Sequence, residues 1–346
     1  PPTPPTHPPS PHRAPRPPTL TPPHPTKPDV STRSHKTPNR QHKRSQCYWT
    51  TERMRNAKPM PLPAADRRAP LIGAAEASRK RPRYVEGTQP ATRTPSAKFT
   101  PADAYPYPYP YTRFALSKAL WKKYPYRAIG KLFGRMNGKN FSCTGASVTS
   151  PGRHLVWTAG HCVSDGAGAF VDKLVFVPAS RYAKRPYGTF PAKSVVTTAG
   201  WHDTGDNRYD YAAISVGKNR NGKKLRNAVG TLGFAYDLSR DLHWNVFGYP
   251  ANTPFDGRRI QVCQASHATD DLAFLSPQPM GMGCDQQRGA SGGPWIYRLM
   301  RGNYINSNVS YGYPGSQPEA IYGPYLTSAA NELRCSAATG GASTTC

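Results

Sequence analysis

Gln287-Arg288-Gly289-Ala290-Ser291-Gly292-Gly293-Pro294-Trp295 decides how the rest of this 346-residue chain is read. A serine between glycines, with Gly-Pro behind it, suits a hydroxyl held exposed on a tight backbone turn. Glycine adopts strained dihedrals and allows a close approach that a Cβ would block. A serine hydroxyl is a weak nucleophile until a base takes its proton, so Ser291 calls for a histidine and a carboxylate elsewhere.

Both are present. His161 stands in Val156-Trp157-Thr158-Ala159-Gly160-His161-Cys162, at the exit of an apolar run. Cys143 lies nineteen positions before Cys162, on the preceding strand of the same predicted hairpin. A bond between the two would pin the histidine's loop. The carboxylate is Asp210, in Tyr209-Asp210-Tyr211-Ala212-Ala213-Ile214. An acid directly before an apolar strand and flanked by tyrosines is expected to be partly buried. A buried carboxylate is costly unless hydrogen-bonded, so Asp210 is expected to have a fixed partner. Asp203 and Asp206, in the preceding loop, suit turn capping better.

Composition divides the chain unevenly. Of 39 prolines, 26 fall within residues 1–112, whereas the net charge of +27 splits into +13 there and +14 beyond. Residues 1–104 are rich in Pro, Thr, Arg and His and lack a sustained apolar period, so they are expected to be disordered. A prosegment and untranslated upstream sequence are the alternatives. Residues 105–111, Tyr-Pro-Tyr-Pro-Tyr-Pro-Tyr, read as a short polyproline-type linker. The predicted division is a Pro/Arg-rich tail over 1–112 and a folded domain over 113–346.

The basic surplus suggests polyanion association of a non-specific kind, since no nucleic-acid-binding signature accompanies it. None of the seven cysteines forms a C-x-x-C pair, and six fall in the folded region, which favours disulfides and an oxidising compartment over a metal site. No cofactor is indicated. Asp165 and Asp172, flanking Gly-Ala-Gly, read as solvated turn residues rather than a calcium site. No apolar run of about 18 residues exists to span a membrane. Residue 1 is Pro and no signal-peptide core follows it, so either a secretion signal has been removed or the numbering starts at an unnatural point.

Residues 114–124 allow one or two helical turns. From 127 the texture is of short β-type runs: 128–133, 142–148, 154–158, 174–178, 192–198, 212–216, 245–249, 259–265, 293–297, 305–310 and 321–324. A helix over 328–334 closes the series. Many short strands with little helix between them indicate an antiparallel barrel or sandwich.

Thr-Ala-Gly-His-Cys, Asp-Tyr-Ala-Ala-Ile and Gly-Ala-Ser-Gly-Gly-Pro, in that order and 49 and 81 residues apart, resemble the trypsin/chymotrypsin-fold serine endopeptidases. The nearest flavour is the secreted bacterial branch that includes the glutamyl endopeptidases. The resemblance covers roughly 125–335 and implies an all-β fold of two antiparallel six-stranded barrels with a short C-terminal helix. It implies a catalytic triad of Ser291, His161 and Asp210, an oxyanion hole from the N–H groups of Gly289 and Ser291, and protein or peptide substrates. A Cys263–Cys284 bond in the second barrel is also implied, leaving Cys335 and Cys346 as a tail clip.

Ala290 stands where animal digestive members carry an aspartate that pairs with a freed N-terminus, so activation is expected not to use that ion pair. Asp285, six residues before Ser291, resembles the pocket acid of trypsin-like members and would select Arg or Lys; hydrogen bonding beside Cys284 is the competing role. Arg288 would instead attract an acidic side chain. The expected pocket wall, 307–312, includes Ser310 and Gly312 and has no histidine, which argues against Glu specificity. Two rival functions are an inactive protease-like binding module and a polyanion-binding protein.

Overall fold

The computed structural model describes residues 31–63, 65, 80–88, 106–152 and 154–346. Six antiparallel strands close the first barrel: Ile129–Met136, Lys139–Val148, Leu155–Thr158, Asp172–Pro178, Phe190–Thr198 and Ala212–Val216. Alternation along these strands sorts side chains between two cores. Val156, Leu132, Cys143, Phe176, Ala212 and Ile214 fill the barrel interior. Leu155, Trp157, Ile129, Ala146 and Ala213 face outward, into a cluster shared with Phe234, Phe247, Val262 and Ile305 of the second half. Leu155–Thr158 is therefore buried on both faces, and the loop that leaves it starts from a fixed point.

The second half is less closed. Strands Gly233–Tyr236, His243–Gly248, Gln261–Ser266, Pro294–Tyr297 and Tyr304–Asn308 belong to a seven-stranded sheet. Thr269–Asp270, Met280–Gly283, Tyr311–Tyr313 and Gln317–Gly323 form a separate four-stranded sheet. The sequence reading did not anticipate Gly233–Tyr236, Thr269–Asp270, Met280–Gly283 or Tyr311–Tyr313. Met280–Gly283 alternates Met with Gly, and its glycines face neighbours too close for a side chain: a Cβ on Gly283 would stand 2.5 Å from Tyr109 O.

Disulfides join Cys143 to Cys162, Cys263 to Cys284 and Cys335 to Cys346, and Cys47 is free and exposed. Helix Ser328–Thr339 places Ala330, Leu333 and Ala337 on the shared core, at the spacing of one helical face.

The N-terminal region differs from the disorder expected of it wherever it is described. Strand Thr32–Lys36 pairs antiparallel with Phe190–Thr198. Helices Asn39–Tyr48 and Thr51–Asn56 follow, with Trp49 and Met54 buried against Phe133, Val175 and Val177. Lys58–Pro59 pairs with Lys139–Val148, and Arg83–Val85 with Gly233–Tyr236. Single large anchors secure this region in place of a periodic apolar face. Residues 1–30, 66–79 and 89–105 lie outside the described residues.

The predicted boundary at 112 falls inside the region that packs on the domain, because Thr112–Ala115 pairs with Gln261–Ser266. Residues 114–124 accordingly give a strand end and turns, with a 3-10 turn at Tyr126–Ala128. Of the tyrosine-proline linker, the described part docks: Tyr109 is buried with Tyr311, Tyr313 and Tyr322. Among the described residues no helix is long and apolar enough to cross a membrane.

Candidate active site

The strand Leu155–Thr158 ends in Ala159, and a 3-10 turn, Gly160–Cys162, carries the histidine. The Cys143–Cys162 bond ties that turn to the neighbouring strand. Asp210 follows another 3-10 turn, Asn207–Tyr209, whose N-cap is Asp206, and it immediately precedes the strand partner of Leu155–Thr158. Asp203, by contrast, pairs with Arg33 on the surface.

The Asp210 carboxylate is fully buried and accepts three hydrogen bonds. His161 N–H donates to Oδ1 at 2.8 Å, the His161 ring contacts Oδ2 through Nδ1 at 2.7 Å, and the Ser310 hydroxyl donates to Oδ2 at 2.5 Å. A carboxylate only accepts, so the ring proton sits on Nδ1 and the lone pair is left on Nε2. Asn308 Nδ2 donates to the Asp210 backbone carbonyl at 3.0 Å, and Trp157 Nε1 donates to Asn308 Oδ1 at 3.1 Å. This chain of bonds runs from the second half to the acid of the first. Trp201 meets the imidazole edge-on, with ring centroids 5.8 Å apart.

Ser291 sits on the loop before Pro294–Tyr297, pressed against the histidine's side of the molecule. Thr144 N–H donates to Ser291 O at 2.8 Å. Gly292 has φ of +76°, and a Cβ there would lie 2.0 Å from Thr158 Oγ1 and 2.8 Å from Ala159 N. Gly289 has φ of +88°, and its Cβ would lie 2.6 Å from Tyr249 O. Both glycines are thus required by geometry as well as conformation. Among the described residues, His161 Nε2 and Ser291 Oγ are buried and have no hydrogen-bond partner.

The residues assigned to substrate selection fall in different places. The Ser310 hydroxyl is committed to Asp210, so that group is not the one offered to a substrate. Asp285 pairs with Arg113 Nε at 3.0 Å, and burial pushes its carboxyl above the usual range against the pull of that guanidinium. Within the fold, Asp285 is thus held in an ion pair with Arg113. Gly312 and the exposed Arg288 do line a small cavity, together with Gln287 and Tyr313. Sequence reasoning missed Asn308, Asn252 and Arg113. Asn252 Oδ1 accepts Gln287 N–H and its amide donates to Asp285 O, tying the 251–257 loop to the nucleophile loop.

Two clusters bring together potential metal donors, Cys143 with His161 and Cys162, and Cys263 with Cys284 and Asp285. In each, both sulfurs are consumed in a disulfide and offer no thiolate. Asp165 Oδ1 accepts the N–H groups of Ala167 and Ala169, as a turn residue does.

No protein-family model matches the chain. Among solved structures, it is similar to the protease Anisep from Arthrobacter nicotinovorans, with 35% identity, a TM-score of 0.57, and coverage of 62% of this chain and 96% of that one. It is also similar to the thermostable serine protease AL20 from an extremophilic microorganism, with 34% identity, a TM-score of 0.58, and coverage of 62% and 97%. A Glu endopeptidase shares the fold at 22% identity and a TM-score of 0.53, covering 66% of this chain and 96% of that one. A curated relative, named extracellular metalloprotease, from Bacillus subtilis (strain 168), is 30% identical over 170 residues, which are 45% of this chain. The chain spans about half the length of that relative, 52%. The chain belongs to the trypsin/chymotrypsin-fold serine proteases.

Proposed function

We propose that the chain is a secreted serine endopeptidase acting on proteins or peptides through an acyl-enzyme. Ser291 Oγ attacks the scissile carbonyl as His161 Nε2 takes its proton; the imidazolium then delivers that proton to the leaving amine. Asp210 holds the ring in the required tautomer and stabilises its charged form. Water, activated by the same Nε2, releases the acyl group and restores Ser291. The N–H groups of Gly289 and Ser291 would receive the oxyanion, each such donor contributing about 3–4 kcal/mol to transition-state stabilisation. One observation carries the reading: an imidazole whose Nδ1 is committed to a buried carboxylate, with Nε2 and the Ser291 hydroxyl both unengaged. Three disulfides and proteases as relatives are consistent with extracellular action.

The test is digestion of a proteome-derived peptide library by the purified chain beside Ser291→Ala. Cuts made by the unsubstituted chain and lost in the variant are expected. Equal cutting by both would remove Ser291 from the mechanism, and cutting by neither would favour a binding role.

A further inference from the structure

Residues 57–63, Ala-Lys-Pro-Met-Pro-Leu-Pro, cross from the first barrel to the second beside the nucleophile loop. Lys58 and Pro59 run parallel to Phe141 and Ser142, and Met60 N–H donates to Ser142 O at 2.9 Å. The Met60 carbonyl accepts the Gly289 N–H at 2.8 Å, the same amide assigned above to the oxyanion. Two residues further on, Leu62 lies against Gly312, where a Cβ would stand 3.6 Å from Leu62 Cδ1. Pro61 and Leu62 close a cavity of about 130 Å³ whose other walls include Gln287, Arg288, Gly312 and Tyr313.

The crossing is anchored at both ends. Before it, Trp49, Met54 and Ala57 are buried on the first barrel, and Trp49 Nε1 donates to Lys173 O at 2.5 Å. After it, Leu62 packs on the core of the second half and Ala65 on its tyrosine cluster. Its sequence favours staying bound. Proline at 59, 61 and 63 restricts the segment toward an extended form, so little conformational entropy is lost on docking. A tether to the same domain adds a high effective concentration. The bonds after Met60 and Leu62 both end on proline nitrogen, where a ring replaces the N–H and crowds the leaving-group side.

Resting on the peptidase reading above, we propose that residues 57–63 are a tethered ligand of the cleft. Met60 O occupies the oxyanion amide, and Leu62, packed against Gly312, closes off the side-chain cavity. The site opens to substrates bearing an aliphatic side chain in that cavity once the segment leaves.

The experiment compares the full chain with Leu62→Asp, using a fluorophosphonate reporter of the reactive serine and peptides differing only in Leu, Arg or Glu at the second residue after the cleaved bond, the place Leu62 takes relative to the Met60 carbonyl. Loss of one half-buried leucine anchor is expected to speed Ser291 labelling about tenfold. Leu62→Asp is expected to cut the Leu peptide fastest. A synthetic peptide of residues 57–63, added in trans, should slow the variant again, and the same peptide with Asp at the leucine should not. Equal labelling of both chains, with no effect of the added peptide, would overturn the tethered ligand and leave the peptidase standing. Faster labelling with preference for the Arg or Glu peptide would overturn the aliphatic cavity. Absence of labelling and cleavage in every form, matching a Ser291→Ala control, would mean that the peptidase reading itself had failed.

Discussion

The two halves of the molecule handle their strands differently. The first is a closed six-stranded barrel, and it carries Asp210 and His161 at the ends of strands buried on both faces. The second divides into two sheets and carries Ser291 and the cavity on the connections and edges between them. Its glycines leave backbone where side chains would otherwise be: a Cβ on Gly323 would lie 2.4 Å from Ser307 Oγ, and one on Gly281 2.7 Å from Tyr322. Proton transfer tolerates little positional error, and a closed barrel supplies a rigid mount for it. A pocket needs exposed, adjustable walls, and a divided sheet supplies those. On the proposed reading, the difference puts proton transfer on the first half, and the attacking hydroxyl and selection on the second.

The sharpest way to break that assignment is Asp210→Asn. An amide in place of the carboxylate can donate to Nδ1 and so puts the proton on the wrong nitrogen. The expected loss in kcat is about 10⁴-fold with KM nearly unchanged, read from steady-state kinetics on one peptide. A large KM change would place Asp210 in binding instead.

Gly312→Val tests the second half. A branched side chain would enter the cavity that Leu62 borders, lowering kcat/KM for a peptide with leucine at that place by about 10–200-fold and sparing an alanine peptide. Uniform loss on both peptides would show the change to be structural.

Disulfide removal separates the halves more finely. Replacing both cysteines of either the 143–162 or the 263–284 pair is expected to lower stability by about 2–4 kcal/mol in denaturant unfolding. The first replacement should lower kcat by loosening the histidine's turn. The second should raise KM, because it frees the segment leading to Gln287 and Arg288. Identical kinetic signatures would dissolve the division of labour.

The smallest expected effect lies where the halves meet. Lys131 of the first barrel donates to Gly257 O of the second at 3.0 Å, between the rings of Phe133 and Tyr249. Burial pushes its amine down from 10.5 to about 8. Between those values the unfolded chain binds more protons than the folded one, so this group makes stability rise with pH across that window. Lys131→Met is expected to remove the rise, seen as the difference between two stability–pH curves. A rise that persists in the variant would assign it to other groups.

The three residues proposed as a triad stand out in the sequence because each sits in a short string whose neighbours are fixed by local geometry: His161 at a strand exit, Asp210 near a strand entry, Ser291 between glycines. The surroundings of Ser310 and Asp285 were less legible, since a position's face depends on strand register, which local irregularities alter. Ser310 and Gly312 illustrate this: two residues apart, they would share a face in a regular strand, but the register is irregular between Tyr311 and Tyr313, and the Ser310 hydroxyl meets Asp210 while Gly312 lines the cavity. Asp285 was placed by counting back from Ser291, yet its environment depends on Arg113, 172 residues earlier, through a contact that no local string encodes. The packing of 31–63 escaped notice for another reason. Disorder is read from the absence of apolar periodicity, and Trp49, Met54 and Leu62 act as isolated anchors.

Strand Thr32–Lys36 has a consequence of its own. It presents Arg33, His35 and Lys36 to solvent and covers Ser194–Thr198, whose Val195 and Val196 are buried. If the N-terminal region were removed to open the cleft, the hydrogen-bonding groups it satisfies on that strand would face solvent beside an aliphatic, β-branched run. An uncovered edge of this kind is a template for pairing with a second molecule. Release of activity and a tendency to self-associate would then be two outcomes of the same cut.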